Sequence, residues 1–173
     1  PLIIVCDDED ELRLHLQHID LSNIKILEIP INDTWARDHA AITVQEGNDF
    51  LIYDFMFNGW GLKFAADKDN LITKQLFEKG IYKSTKLINP DLVLEGGSIE
   101  SDGMGTLLTT TNCLLSPNRN PHFSKQEIEH KLIKLFGLKR VLWLENGHLL
   151  GDDTDAHIDT VARFCDENTI AGI

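Results

Sequence analysis

The 173-residue sequence has few cysteines, few basic residues and no long hydrophobic run. Its three cysteines, Cys6, Cys113 and Cys165, form neither a CxxC pair nor a zinc-type spacing, and their odd, sparse number is typical of free thiols in a reducing cytoplasm. Each has apolar neighbours, so we expect three small core residues. No apolar segment approaches the roughly 20 residues that a membrane helix needs, which argues against a membrane partner.

Basic residues are scarce: 16 Lys and Arg stand against 28 Asp and Glu, which gives a net charge of −12. This balance argues against nucleic acid as a partner. A negative field attracts cations, so it permits a cationic ligand without identifying one. The apolar start over 1–5 lacks a basic region and a cleavage site, so it predicts a buried strand rather than a signal peptide.

A weak internal repeat runs through the chain with a period of about 60 residues. Each unit opens with a polar cluster and continues as a hairpin, a helix and an apolar strand. The predicted strands cover 1–5, 24–29, 41–44, 50–55, 85–88, 106–110, 140–144 and 169–173, and the predicted helices cover 8–18, 69–78 and 125–136. Gly-rich turns at 46–49 and 102–105 and a capping pattern from Ser124 to Glu127 support these bounds.

Repeated units of this kind predict an α/β propeller of ββαβ-like repeats arranged around an axis. The chain is interrupted within a unit at both ends, so we expect residues 1–173 to form a single partial domain. The opening clusters would then meet near the axis and build one site from distant residues. The alternative is that the spacing is accidental and the chain is one complete domain.

Polar clusters open the first two full units. Asp38 ends the run Trp35-Ala36-Arg37-Asp38, where it is either a site carboxylate or half of a structural Arg37–Asp38 pair. Glu95 precedes Gly96 and Gly97, which either form a plain turn or let the backbone approach a ligand closely.

The third cluster contains His157 and Asp159. If this segment is a strand, the two side chains project from the same face. An imidazole and a carboxylate in one pocket can divide proton transfer and cation binding between them. Two alternatives stay open: a histidine satisfied within the strand, and a divalent metal site in the acidic run 152–155.

Several carboxylates in one pocket suit a particular ligand. A guanidinium is planar, permanently charged and rich in N–H donors, so two carboxylates can bind it through paired hydrogen bonds. Trp35 and Trp60 can stack on a cation or wall off the pocket, although each can equally be a core residue.

Six sequence blocks occur in an order that resembles the agmatine deiminases within the bacterial-type peptidylarginine deiminase family. The resemblance covers nearly the whole chain, and six blocks in order are specific for the family though less so for the substrate. The blocks lie at 32–38, 57–64, 94–98, 107–110, 116–121 and 151–159.

The resemblance implies the pentein fold, a five-bladed α/β propeller of which this chain would supply about three units. It implies hydrolysis of agmatine to N-carbamoylputrescine and ammonia, a step toward putrescine, without metal or cofactor and as a homo-oligomer. It places the cysteine nucleophile in a Gly-rich C-terminal segment that nothing in residues 1–173 matches. The fragment alone is therefore expected to be inactive.

The resemblance also implies roles for individual residues. Asp38 and Asp159 would hold the guanidinium, and His157 would be the general acid/base. Glu95 would line the same pocket, while Trp35 and Asp153 would contact the aliphatic and amine end of agmatine.

Other guanidine functions remain open at this stage. They are deimination of peptidyl-arginine or another guanidine, and ligand capture by a non-catalytic guanidine- or polyamine-binding module. The chain has Ala40 and Ala156 where the family usually has glycine, and we expect these methyl groups to crowd the strand entry.

Overall fold

The computed structural model describes residues 2–82, 85–147 and 149–173, so Pro1 of the predicted first strand lies outside the described residues. The strands are β1 (Leu2–Cys6), β2 (Ile24–Glu28), β3 (Ile42–Glu46), β4 (Asp49–Tyr53), β5 (Lys86–Ile88), β6 (Ile99–Ser101), β7 (Thr106–Thr110), β8 (Arg140–Leu144), β9 (Ala162–Asp166) and β10 (Thr169–Gly172). The helices are α1 (Glu9–His15), α2 (Ala36–His39), α3 (Gly59–Leu62), α4 (Asp69–Glu78), α5 (Thr111–Leu114), α6 (Lys125–Phe136) and α7 (Ile158–Val161), with a 3₁₀ turn at Gly96–Ser98.

Two complete copies of the predicted repeat are present. In the first, β3 and β4 form an antiparallel hairpin, α4 follows, and β5 returns parallel to β4. In the second, β6 and β7 form the hairpin, α6 follows, and β8 returns parallel to β7. The parallel pair β1–β2 and the hairpin β9–β10 correspond to the last and first parts of the same unit. These pairings confirm the predicted ββαβ pattern.

Local chemistry explains where these elements turn and end. Gly47 takes φ +63° between β3 and β4, a conformation that glycine adopts at no steric cost. Ser124 and Glu127 form the predicted capping box at the start of α6, and Gly137 ends that helix with φ +65°. Asp102 accepts hydrogen bonds from the amides of Met104 and Thr106 and so shapes the turn before β7.

The main apolar core lies between α6 and the two three-stranded sheets. Leu107, Ile128 and Leu132 are among its fully buried members, and the Tyr53 hydroxyl donates to the Leu135 carbonyl across it. A second cluster packs α4 against the β1–β2 pair, and a third packs α7 against the sheet of β6, β7 and β8. Within the described residues, no helix is both long enough and apolar enough to cross a membrane.

Two predictions about local structure are wrong. His157 and Asp159 do not lie on a strand, because residues 158–161 form the helical turn α7 with His157 at its N-cap. A four-residue turn is too short for sequence periodicity to reveal. Of the cysteines, Cys113 is fully buried in the core, whereas Cys6 is only partly buried and Cys165 is exposed on β9.

Three short turns occupy equivalent positions in the repeats: α2, the 3₁₀ turn and α7 each come just before the first strand of a hairpin. They pack together closely. A side chain on Gly96 would meet the Arg37 carbonyl oxygen at 2.0 Å, and the Gly97 amide donates to Asp38. The polar clusters that open the units therefore do meet, as the repeat predicts.

Candidate functional site

A cavity of about 340 Å³ opens where the three turns meet. The residues that line it are Asp33, Trp35, Arg37, Asp38, Trp60, Phe64, Asp153, Thr154, His157, Asp159 and Thr160. Six of the seven predicted site residues are in this set, and Glu95 is not. Four carboxylates and two indole rings give it the acidic, aromatic character that suits an organic cation.

Asp38 is buried at the base of the cavity and is held from two sides. The Trp60 indole Nε1 donates to one carboxylate oxygen at 3.0 Å, and the Gly97 amide donates to the other at 2.9 Å. The same second oxygen lies 3.5 Å from Nδ1 of His157. Asp38 makes these contacts instead of the alternative ion pair with Arg37, whose guanidinium donates to the Ile99 carbonyl.

Gly97 marks the point on which the three predicted catalytic side chains converge. A Cβ atom at this glycine would lie 2.6 Å from an Asp38 oxygen, 2.6 Å from Nδ1 of His157 and 2.8 Å from an Asp159 oxygen. These separations are shorter than any real Cβ contact. The absence of a side chain at residue 97 is therefore what allows the three polar groups to face one another.

His157 is almost completely buried, at 2% exposure. Burial lowers the pKa of His157 from the ordinary 6.5 to about 4. The Asp38 carboxylate acts in the opposite direction, because a negative neighbour favours the protonated imidazole. The imidazole is therefore neutral near pH 7 and can accept a proton. Among the described residues its Nε2 atom has no hydrogen-bond partner.

Asp159 is half-buried beside Asp38. Burial raises the pKa of Asp159 and the neighbouring Asp38 carboxylate raises it further, while Arg37 and Arg163 oppose the rise. Two carboxylates this close repel each other, so a bound cation relieves the repulsion. The pair is electrostatically prepared for a positive ligand.

Glu95 lies behind the cavity rather than on its wall. It is fully buried, and Nε of Arg119 donates to both of its carboxylate oxygens at 2.9 and 3.0 Å. Arg119 also donates to the Thr154 carbonyl and to the Asp155 carboxylate. Glu95 and Arg119 thus anchor the segment that leads into His157. A direct contact of Glu95 with substrate stays a prediction.

The segment 152–156 is a tight loop in which the Asp152 and Asp155 carboxylates accept hydrogen bonds from the protein. Asp152 accepts from the Thr154 and Ala156 amides, and Asp155 is paired with Lys63 at 2.7 Å and Arg119 at 2.6 Å. Carboxylates engaged in this way do not converge on a common ion, which disfavours the metal alternative.

Ala156 follows this loop in a left-handed conformation, with φ +64°. A backbone of this kind favours glycine. Ala40 has an ordinary φ of −74°. A glycine at position 156 would therefore relieve backbone strain. This reason for glycine at position 156 differs from the predicted crowding of the strand entry by a methyl group.

The mouth of the cavity carries the residues predicted to contact the far end of the ligand. Trp35 is 64% exposed and Asp153 is exposed, so both are free to meet a ligand. Trp60 is buried, packs edge-on against Phe57 and Phe64, and forms the inner wall. Trp60 is therefore both a core residue and a wall of the pocket.

None of the three cysteines, all of which lie in the described part of the chain, lines the cavity. Cys113 comes nearest: its sulfur, a Glu95 oxygen and a His157 nitrogen lie within 4.8 Å of one another. Burial raises the pKa of the Cys113 thiol well above its usual range, so it stays protonated, and Arg119 already occupies Glu95. This cluster suits neither a nucleophile nor a metal ligand set.

The sequence did not single out two residues that shape the site, Arg119 and Lys63. Each lies in a recognised block, but neither carries a group that acts on a ligand. The available signal was the position of Arg119 and Lys63 within the blocks 116–121 and 57–64, since the burial of Arg119 and its carboxylate partners are visible only in the structure.

The depressed pKa of His157 predicts a pH-dependent stability. Because the unfolded histidine binds a proton near pH 6.5 and the folded one only near 4, the stabilisation is fully present above pH 6.5 and is lost as the pH falls to 4. We expect the free energy of unfolding to fall by up to about 1.4 kcal/mol per pH unit in this window. Urea unfolding at a series of pH values from 7.5 to 4 measures this fall in the free energy of unfolding.

His157→Gln should flatten the dependence of the free energy of unfolding on pH, and His122→Gln, at an exposed histidine, should not. Equal slopes in wild type and both variants would contradict the assignment of this dependence to His157.

The fold and the site together define a class: an α/β propeller of the pentein type with an acidic central pocket. The chain belongs to the Porphyromonas-type peptidyl-arginine deiminase family, whose sequence model matches residues 1–172.

Named relatives are consistent with this membership. The chain is 37% identical over 169 residues to the agmatine deiminase of Pseudomonas aeruginosa, which covers 94% of this chain and 44% of the relative. A solved C. jejuni agmatine deiminase variant with substrate bound matches 98% of this chain at 42% identity, with a TM-score of 0.90. A solved Porphyromonas gingivalis protein, named as a candidate arginine deiminase, matches 98% at 49% identity, with a TM-score of 0.93. The chain spans about half the length of each of these structures, 50% in both cases.

Proposed function

We propose that this chain forms the guanidine-binding part of an agmatine deiminase, which hydrolyses agmatine to N-carbamoylputrescine and ammonia. The observation that carries the proposal is the convergence of Asp38, His157 and Asp159 on one point above Gly97. The agmatine deiminases among the relatives support the choice of reaction.

The two carboxylates hold the guanidinium. Asp38 and Asp159 each present a carboxylate oxygen to the convergence point, so each can accept N–H donors from a planar cation. Trp60 and Gly97 fix the Asp38 carboxylate before the ligand arrives, which lowers the cost of binding. The cation neutralises the repulsion that raises the pKa of Asp159.

His157 moves the protons. A cysteine thiol gives its proton to the neutral imidazole, the thiolate attacks the guanidinium carbon, and a C–S bond forms. Protonated His157 then gives the proton to one terminal nitrogen, the C–N bond breaks, and ammonia leaves an S-alkylthiouronium. His157 next takes a proton from water, which attacks the same carbon. The C–S bond breaks, the proton on His157 returns to the sulfur, and the remaining O–H proton passes to the released ammonia, which yields the neutral carbamoyl product and ammonium.

The nucleophile in this scheme is a cysteine outside residues 1–173. Cys113 is buried with a protonated thiol, Cys165 is exposed on β9, and Cys6 lies in β1, away from the cavity lining. On this proposal residues 1–173 bind guanidines but do not hydrolyse them, and they supply about three of five repeat units. The cytoplasm as the site of the reaction and assembly into a homo-oligomer are further parts of the proposal.

Asp153 at the cavity mouth decides between agmatine and peptidyl-arginine. The primary amine of agmatine gains a charged partner there, whereas a blocked arginine peptide has no amine to place. We expect Asp153→Asn to weaken agmatine binding about 5- to 10-fold, the range of an exposed charged hydrogen bond, and to leave Nα-blocked arginine amide within 2-fold.

Isothermal titration of the chain with both ligands measures this, and Asp49→Asn on the β3–β4 hairpin is the matched charge control. Equal losses for both ligands would favour a peptidyl-arginine or general guanidine enzyme. Tight binding of simple polyamines without a guanidine would favour a polyamine-binding module.

A further inference from the structure

The turn α3 has an unusual backbone. Gly59, Trp60, Gly61 and Leu62 all have positive φ values, of 67°, 56°, 81° and 67°. The ψ values of Trp60 and Gly61, 49° and 42°, are those of the left-handed helix, and the amides of Leu62 and Lys63 donate to carbonyls four residues back. Side chains with a Cβ rarely adopt this conformation, and a run of four such residues persists only where its surroundings enforce it.

Close packing enforces the turn. A Cβ on Gly59 would lie 2.0 Å from the Phe64 carbonyl oxygen, so only glycine fits there. The Asn58 side chain accepts from the Gly61 amide and donates to the Asn118 carbonyl, which ties the turn to the neighbouring repeat. The strained backbone is therefore built into the fold.

The turn directs one side chain to Asp38 and another to the loop that carries Asp153. Trp60 donates to Asp38 at the guanidinium end at 3.0 Å. Lys63, three residues later, donates to the Asp153 carbonyl at 2.6 Å and to the Asp155 carboxylate at 2.7 Å at the mouth. The segment 59–63 therefore holds both the Asp38 carboxylate and the backbone of Asp153.

We infer that the segment 59–63 sets the length of the ligand, with Lys63 as the specificity-determining residue. The inference rests on the proposed function, because it takes the ligand to be a linear guanidine with an amine at its far end. The distance between the guanidinium clamp and Asp153 is fixed by this segment, and a ligand with one methylene group too few or too many cannot satisfy both ends.

Removal of the Lys63 hydrogen bonds releases only the outer end. The 153–155 loop keeps its Asp152 cap and its Arg119 contacts, and Lys63 is a surface residue, so the variant is expected to fold. Asp38 keeps its Trp60 and Gly97 donors. Asp153 can then shift and meet amines at several distances.

The test uses Lys63→Met, which retains most of the apolar stem and removes the donors. Isothermal titration measures the affinities of ω-guanidino amines with three, four and five methylene groups, and of ethylguanidine, which has no amine. All three amines carry the same charge, so their affinity ratios cancel the change in protein charge. We expect wild type to prefer one length by about 10-fold and the variant to reduce that preference to below about 3-fold, since one methylene is worth this much in a fitted site.

Lys74→Met, which removes an exposed lysine near Glu78 on α4, is the matched control and should keep the wild-type ratios. Ethylguanidine should bind Lys63→Met and wild type within about 2-fold, which shows that the inner clamp is intact. The inference is overturned if Lys63→Met keeps the wild-type ratios, or if wild type binds all three lengths equally. Failure of wild type to bind any guanidine, ethylguanidine included, would instead reject the proposed function and the inference with it.

Discussion

Substitution of Gly97 by alanine is expected to weaken guanidine binding by roughly 100-fold or more while the chain still folds. The added methyl group would lie 2.6 Å from Asp38 and His157 and 2.8 Å from Asp159, well inside van der Waals contact. All three neighbours are ends of side chains, so they can rotate away. That movement separates the groups that must converge on the ligand, and a displacement of about 1 Å at a reacting centre costs roughly 100-fold.

The loss of stability should be smaller. Overpacking of a close-packed site costs about 1–3 kcal/mol, and part of it is relieved by rotation of the carboxylates. Isothermal titration with agmatine measures the first effect and urea unfolding the second. Gly172→Ala is the matched control, because a methyl group there meets Val161 and Ala162 only at ordinary distances of 3.4 and 3.6 Å. Agmatine binding by Gly97→Ala within 3-fold of wild type would contradict the convergence.

The substitution Asp38→Asn is expected to lower agmatine affinity by about 30-fold to 4,000-fold. Removal of one member of a buried, hydrogen-bonded charge pair costs about 2–5 kcal/mol, and each 1.4 kcal/mol is tenfold in affinity. The amide has the shape of the carboxylate, so the pocket keeps its form. However, Trp60 and Gly97 both donate to residue 38, and an asparagine has one acceptor oxygen for two donors. Its NH₂ group must therefore face a second donor, which costs about 1–3 kcal/mol of stability.

Asp33→Asn provides the control for this prediction. Asp33 lines the same cavity and carries the same charge, but it is bonded to the Thr34 amide and is not part of the cluster around Gly97. Its substitution changes the field of the pocket and leaves the clamp intact, so agmatine affinity should change by less than about 3-fold. Equal effects of the two substitutions would mean that the pocket attracts cations by net charge alone.

Much of the fold follows from sequence patterns that act locally. The turn at Gly47, the capping box of Ser124 and Glu127 and the left-handed Gly137 each depend on a few adjacent residues, and the structure confirms all three. The repeat followed from the recurrence of these signals in the same order. Strand ends differ from the predicted bounds by one or two residues, because fraying at an element end leaves little trace in the sequence.

The details of the site depended on contacts that no local pattern encodes. The pairing of Glu95 with Arg119 and the left-handed turn at Trp60 need partners 24 and 60 residues away in the chain. The helical turn after His157 has only four residues, too few to leave a periodic pattern in the sequence. Asp38, His157 and Asp159 nevertheless meet, although the predicted strand that was to align them is absent. Convergence of the repeat openings, rather than alternation along a strand, brings them together.

Two glycines without functional groups determine how closely the parts of this site approach one another. Gly96 lets the 3₁₀ turn rest on the Arg37 carbonyl, and Gly97 leaves room for three polar side chains. In a sequence, two adjacent glycines after Glu95 are typical of any turn. Only the close approach of neighbouring repeats explains why a side chain at either position would clash with its surroundings.

The most direct test of the central claim is a crystal structure of this chain with agmatine bound. We expect the guanidinium carbon between the Asp38 and Asp159 carboxylates, beside Nδ1 of His157, with the amine directed outward to Asp153. A guanidinium at the cavity mouth, with Asp38 and Asp159 free of contact to it, would contradict the account.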